Sequence, residues 1–127
     1  MKGSAQYFHD KQLSSFIKKC FSTAPICFGC GGFALQTINT ILNPNGIIPL
    51  YYVDNDISKQ GGCFFNLPIK EPRTLRMEND NTLILITTLS PLSIKEQLDD
   101  LGKFDIYASC FFFDMFMGKY YRNISLK

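Results

Sequence analysis

The fold of this chain is indicated by one short run of residues, Ile26-Cys27-Phe28-Gly29-Cys30-Gly31-Gly32-Phe33-Ala34. Three apolar residues are followed at once by glycine, a pattern typical of a short buried strand that ends in a tight turn. After the glycines, apolar residues recur at helical spacing until the turn sequence Asn43-Pro44-Asn45-Gly46. The run therefore predicts a strand, a glycine turn and a helix, in that order.

The same alternation of strand and helix continues toward the C-terminus. Residues 47–53 and 82–88 are apolar and rich in β-formers, residues 64–69 favour a short strand, and residues 104–108 predict a last strand. An apolar face of helical period begins after Asp10, and Ser90-Pro91 opens another helix that Gly102 ends. The order predicts a Rossmann-like three-layer α/β domain with a mainly parallel sheet of about five strands.

Composition limits the class of protein. The 127 residues are 46% hydrophobic and 19% charged, with a net charge of +2, which fits one globular domain and gives no basic surface for nucleic acid. No export signal or membrane span is recognisable, and five cysteines without an export signal favour reduced thiols in the cytoplasm. We divide the chain into an N-terminal helical lead-in (1–22), a nucleotide-binding domain (23–110) and an aromatic C-terminal segment (111–127), which is either an edge element or the start of a missing domain.

The glycine turn is the first candidate for a binding site. Gly29-x-Gly31-x-x-Ala34 matches the G-x-G-x-x-G/A fingerprint and lies where that fingerprint belongs, between a strand and a helix. Gly31 has no side chain, so backbone N–H groups there can approach phosphate oxygens at a helix N-terminus. Ligand contacts are therefore predicted along the turn, at Gly29, Cys30, Gly31, Gly32 and Phe33. The alternative is a tight strand-to-helix turn that holds no ligand.

Two further groups follow predicted strands and belong to the same edge of the sheet. Asp54 ends the second strand, where an acidic residue commonly reads the ribose hydroxyls of a nucleotide, and Asn55 stands beside it. Thr87 and Thr88 follow the clearest strand and carry hydroxyl donors. The alternatives are turn formation by the acidic loop and helix capping after the threonines.

No catalytic or metal site is predicted. Cys27-x-x-Cys30 has the spacing of a redox pair, but Cys27 falls on a buried strand, and no second ligand pair completes a zinc site. No nucleophile and acid can be identified that would form a catalytic triad with the single histidine, His9. Lys59 is interpreted as a solvated charge unless the site faces it.

Four short segments together resemble a known type of domain. They are Phe28-Gly29-Cys30-Gly31-Gly32-Phe33-Ala34, Val53-Asp54-Asn55-Asp56, Lys59-Gln60-Gly61 and Asn66-Leu67-Pro68-Ile69. The chain from about Ile26 to Tyr107 is similar to the Rossmann-like domain at the front of bacterial surface-sugar enzymes. One such group is the N-terminal domain of sialic acid and bacillosamine-type sugar O-acyltransferases, and another is the domain fused to FkbM-type methyltransferases.

The resemblance implies a nucleotide-activated sugar as ligand. Gly29, Gly31 and Gly32 would then meet the phosphates, and Asp54 with Asn55 the nucleoside. The acyltransferase β-helix and the methyltransferase domain have no counterpart in this sequence, so a catalytic domain or subunit is a candidate partner. The expected function is a nucleotide- or nucleotide-sugar-binding module of surface-polysaccharide synthesis. The alternatives are a fragment of an NAD-dependent sugar-modifying enzyme and a non-binding interaction domain.

Overall fold

A computed structural model describes the backbone of residues 4–113 and the side chains of residues 10–113. Its sheet has six strands, which lie in the order β3-β4-β2-β1-β5-β6. Their bounds are β1 Ile26–Phe28, β2 Tyr52–Val53, β3 Cys63–Phe64, β4 Leu67–Lys70, β5 Leu83–Ile86 and β6 Asp105–Ala108. All neighbours pair in parallel except β3 and β4. The predicted α/β class is confirmed, with six strands instead of about five.

The additional strand comes from a hairpin that the sequence pattern did not reveal. Residues 64–69 were expected to form one short strand, but β3 and β4 pair antiparallel on either side of Phe65 and Asn66. Both turn residues have positive φ, 49° and 65°, as a tight two-residue hairpin requires. Phenylalanine is rarely found in this conformation, so the usual Asn-Gly signal for such a turn is missing.

The second strand is shorter than predicted. Residues 47–53 were expected to be extended, but only Tyr52 and Val53 join the sheet. The Ile47 N–H still donates to the Leu42 carbonyl at 2.9 Å, closing the preceding helical run. Pro49 has no N–H to donate, and the Leu50 N–H bonds to the Pro25 carbonyl at 2.9 Å, just before β1 begins. The chain therefore enters the ladder late.

Between residues 4 and 113, three α-helices accompany the sheet: α1 Ser4–Cys20, α2 Gly32–Thr37 and α3 Pro91–Leu101. The run that α2 starts continues as a π-helical turn, Ile38–Leu42, and a 3₁₀ turn, Asn43–Asn45. It ends at Gly46, whose φ of 68° suits glycine. Further 3₁₀ turns lie at Pro72–Met77 and Ser109–Phe112.

The strands alternate between two apolar layers. Leu83 and Leu85 of β5 face a cluster that includes residues of α1 and of the helical run after β1, whereas Ile84 and Ile86 face a cluster with α3. Phe16 of α1 is completely buried, with its ring 5.6 Å from that of Tyr107 and 5.3 Å from that of Phe112. The rest of the aromatic segment, residues 114–127, lies outside the described residues.

The strand order fixes where a ligand crevice belongs. From β1 the chain moves to β2 on one side and later to β5 on the other, so the order reverses between β1 and β5. In open α/β sheets, ligands bind beyond the carboxyl ends of the strands at such a reversal. Within residues 4–113, no helix is both long and apolar enough to cross a membrane.

Candidate functional site

Gly29 closes the base of the crevice between β1 and β5. Its φ is 122°, and a Cβ atom there would lie 2.8 Å from the Thr88 Cγ2 and 3.1 Å from the Thr87 carbonyl oxygen. Only glycine satisfies both the backbone conformation and this close approach. The structure thus brings Gly29, Thr87 and Thr88 together as predicted, but it uses Gly29 for packing and leaves no open face there.

The two threonines differ in their hydrogen bonding. The Thr87 hydroxyl is buried and donates to the carbonyls of Phe28 and Gly29, at 2.9 and 2.8 Å. It fastens the end of β5 to the turn after β1. The Thr88 hydroxyl oxygen is buried and has no hydrogen-bond partner among the described residues. Of the two, Thr88 alone retains its hydrogen-bonding capacity.

Gly31 and Gly32 are the open part of the turn. A Cβ atom built on either glycine would meet nothing within 4 Å. Gly31 is the N-cap of α2, and no side chain caps this end. The first N–H groups of a helix have no partner within the helix, and they carry a partial positive charge. The turn therefore offers uncapped backbone donors beside free space.

Asp54 is attached to the glycine turn. Its Oδ2 accepts a hydrogen bond from the Cys30 N–H at 2.8 Å, and its Oδ1 accepts one from the Asp56 N–H at 2.8 Å. Each carboxylate oxygen thus already holds one main-chain donor. The side-chain amide of Gln60 donates to the Asp54 carbonyl at 2.8 Å. Asp54 lies beside the turn, as the sequence predicted, and organises the loop after β2 around it.

Lys59 also faces the turn, which the sequence did not establish. Its Nζ donates to the Cys30 carbonyl at 3.4 Å, so the loop after β2 holds Cys30 through both its N–H and its carbonyl. Among the ion pairs within the described part of the chain, none includes Lys59. In the sequence, its place in the loop after the second predicted strand, which ends at Asp54, was the indication that it could face the turn. The ammonium group is therefore available to an anion at the turn.

The Cys30 side chain is buried, and the Phe33 side chain is half-buried and packs against the core. Burial, together with the nearby Asp54 charge, raises the pKa of the Cys30 thiol to about 12. Burial also raises the pKa of Cys27, which is completely buried, so neither thiol of the C-x-x-C spacing is activated. The Phe33 ring packs edge-on against Phe113, with centroids 5.9 Å apart. The Cys30 N–H and carbonyl are already held by Asp54 and Lys59, so of these two positions Phe33 is the one whose backbone N–H can serve a ligand.

Asn55, in the same loop after β2, is exposed and lines an open groove. Its side-chain amide donates to the Gln97 Oε1 at 2.9 Å, and the Gln97 amide donates to the Asn55 Oδ1 at 2.8 Å. This reciprocal pair joins the loop to α3 beside a cavity of about 470 Å³. Gln97 was not among the residues that the sequence singled out, because a glutamine on an amphipathic helix carries no motif.

The described residues contain no group of three or more His, Cys, Asp or Glu side chains placed to hold a metal ion. In comparisons with known proteins, no family model matches this chain, and no curated protein matches it significantly. The site is therefore interpreted from its own geometry.

Proposed function

We propose that this domain binds a nucleotide-type ligand, with a nucleotide-sugar as the first candidate, and holds the diphosphate at the glycine turn. The observation that carries the proposal is the open backbone at Gly31 and Gly32 next to the Lys59 ammonium. This arrangement lies beside the reversal of strand order, where α/β sheets commonly bind ligands.

Charge supports an anion at this position. The uncapped start of the helical run and the Lys59 ammonium place positive potential on the same turn. The nearest acid, Asp54, already accepts two main-chain hydrogen bonds through its carboxylate. A diphosphate would gain backbone N–H donors and one ammonium contact together. Hydrogen bonds to charged groups contribute about 1.5–3 kcal/mol each, so three of them supply about 4.5–9 kcal/mol, which corresponds to a Kd between about millimolar and micromolar.

The biological setting is proposed from the sequence resemblance. The domain would serve surface-polysaccharide or glycan synthesis in the cytoplasm, alongside a catalytic domain or subunit that acts on the bound sugar. In this proposal the described residues bind and orient the ligand, and no catalytic role is assigned to them.

Two alternatives to a nucleotide-sugar-binding module can each be tested. NAD carries the same pyrophosphate, so it competes for the same turn and belongs in any ligand panel. The interaction-domain alternative expected an exposed phenylalanine patch around residues 111–116. Of the described residues of this patch, Phe111 is 38% exposed, whereas Phe112 and Phe113 are each 7% exposed. Residues 114–116 lie outside the described part, so the described end offers one exposed ring and not a continuous patch.

A thermal-shift screen tests the proposed function. UDP-, GDP- and CDP-sugars, NAD, S-adenosylmethionine and coenzyme A are each added to the pure protein. A ligand at 100 times its Kd stabilises the fold by about 2.7 kcal/mol, which raises the melting temperature by several degrees. We expect a nucleotide-sugar to give this shift.

A variant with valine in the open part of the turn tests whether the ligand binds there. A Cβ atom at Gly31 meets nothing within 4 Å, so Gly31→Val would extend a branched side chain into the space proposed for a phosphate. It is expected to abolish the ligand-induced shift, whereas Asn39→Val, at an exposed position further along the same helical run, should retain it. A shift that survives Gly31→Val unchanged would place the ligand elsewhere.

A further inference from the structure

We infer that the groove between the loop after β2 and α3 is a nucleobase pocket, an inference that rests on the proposed function for the ligand's phosphate end. We call this surface the amide groove and define it by Asn55, Ile57, Gln60, Pro72, Gln97 and Leu101. Its volume of about 470 Å³ lies within the range of small-molecule sites, about 300–1,000 Å³.

The amide groove combines apolar surface with amide groups. Ile57, Pro72 and Leu101 supply the apolar part, and Ile57 is 83% exposed although it is a large aliphatic side chain. Covering such a side chain is favourable in water. Asn55, Gln60 and Gln97 supply donors and acceptors. A nucleobase has two apolar faces and a rim of donors and acceptors, so it matches this combination.

The Asn55–Gln97 pair gives the groove a means of reading a base. Each amide donates to the other, and each retains a second N–H and a free lone pair on its oxygen. A base edge that carries a donor next to an acceptor can therefore form hydrogen bonds with the remaining N–H and the remaining lone pair on the outer side of the pair.

Charge separates this groove from the phosphate site. The charged side chains at the groove are Arg73 and Glu71, which form an ion pair with each other. The groove therefore favours the neutral part of a ligand, while the Lys59 ammonium, which forms no ion pair with a described residue, lies at the glycine turn.

The two sites are also connected by one short segment. Asn55 in the groove directly follows Asp54, whose carboxylate binds the Cys30 N–H of the glycine turn. A ligand that runs along Asp54 thus passes from the turn to the groove. The geometry points to one nucleotide that spans both, with its base at the amides and its diphosphate at the glycines.

Calorimetry with two kinds of probe tests this inference. Pyrophosphate measures the glycine turn alone, whereas UDP, CDP, ADP and GDP add a base. At least one nucleoside diphosphate is expected to bind tenfold or more tightly than pyrophosphate. Gln97→Leu keeps a good helix former in α3 and removes the amide, so it should abolish that tenfold gain and leave the pyrophosphate Kd unchanged. Asn39→Leu, at an exposed amide on the opposite face of the sheet, is the control and should change neither affinity.

The possible results separate the two ideas. If no nucleoside diphosphate binds more tightly than pyrophosphate, or if Gln97→Leu retains the gain, the nucleobase pocket is wrong and the phosphate site stands. If neither pyrophosphate nor any nucleotide binds, the proposed function fails. A second measurement uses uridine, cytidine, adenosine and guanosine, which carry no phosphate. At least one should shift the side-chain amide NMR signals of Asn55 and Gln97, and unmoved signals with all four would overturn the pocket independently of the turn.

Discussion

The carboxylate of Asp54 and the backbone N–H of Cys30 form a 2.8 Å hydrogen bond that joins the end of β2 to the turn after β1. The second carboxylate oxygen accepts the Asp56 N–H at the same distance. An acidic residue at this place commonly reads a ribose, but here both of its oxygens hold protein donors. The bond therefore gives Asp54 a part in shaping the glycine turn itself.

Asp54→Asn is accordingly expected to weaken the fold as well as the site. The asparagine would place an NH₂ group against one of two main-chain donors, and a hydrogen bond to a charged group contributes about 1.5–3 kcal/mol. We expect the free energy of unfolding, measured in urea, to fall by roughly that amount, and pyrophosphate and nucleotide affinities to fall together. Asp99→Asn is the control, because its exposed ion pair with Lys95 contributes about 0.5 kcal/mol or less. A loss of nucleotide affinity alone, with stability and pyrophosphate binding unchanged, would show that Asp54 contacts the nucleoside.

Gly29 and Gly31 should respond to the same substitution with losses of stability of very different size. Gly29→Ala places a methyl group 2.8 Å from the Thr88 Cγ2 at a φ of 122°, and a residue in such a backbone region costs about 1–3 kcal/mol even without a clash. Gly31→Ala meets nothing within 4 Å and has an extended backbone, so its effect on stability should stay within about 1 kcal/mol. Thermal unfolding of the two variants compares them directly. Equal melting temperatures would mean that β1 and β5 do not approach each other as closely as described.

The sequence predicted the parts of the site that depend on position along a strand. The fingerprint Gly29-x-Gly31 located the turn, and the apolar runs around residues 26–28 and 82–88 located the two strands between which the order reverses. These features follow from residue type and spacing alone. The alternation of Leu83 to Ile86 between two layers likewise follows from the period of a strand.

Other features depend on contacts between distant residues, which spacing does not encode. The hydrogen bond from the Cys30 N–H to Asp54 and the approach of Lys59 to the Cys30 carbonyl became visible only in three dimensions. The Asn55–Gln97 pair joins residues from two separate elements, and nothing in either local sequence indicates the other. The hairpin at Phe65 and Asn66 was missed because its backbone conformation is unusual for phenylalanine.

Thiol reactivity provides a check on the interior that needs no ligand. Burial raises the pKa of Cys30 to about 12, so at pH 8 only about one molecule in 10⁴ carries the reactive thiolate. Cys63 is exposed on β3. With iodoacetamide at pH 8, mass spectrometry should find Cys63 modified well before Cys30, and Cys63→Ser should remove the fastest-reacting thiol. The Cys30 rate should rise with pH toward 12, because the thiolate fraction increases. Rapid modification of Cys30 at pH 8, or a Cys27–Cys30 disulfide, would revive the redox interpretation.

Lys59→Gln tests whether the ammonium beside the glycine turn binds the anion. A charge-assisted contact to phosphate contributes about 1.5–3 kcal/mol, so its loss should weaken pyrophosphate binding roughly tenfold or more. The 3.4 Å bond to the Cys30 carbonyl is long, so the free energy of unfolding should change little. The variant should also lose part of the salt dependence of binding, because one cation no longer takes part.

The matched control for this change is Lys103→Gln, which removes the same charge from an exposed lysine. Lys103 lies just before the edge strand β6, at the amino ends of the parallel strands, whereas the glycine turn lies at their carboxyl ends. It should leave the pyrophosphate Kd within about twofold, because charges separated by more than about 10 Å in water are largely screened at 0.1 M salt. If the two variants weaken binding equally, the anion responds to net charge alone and Lys59 has no direct contact with it. If Lys59→Gln leaves the affinity intact while Gly31→Val abolishes it, the backbone of the turn holds the phosphate without the lysine.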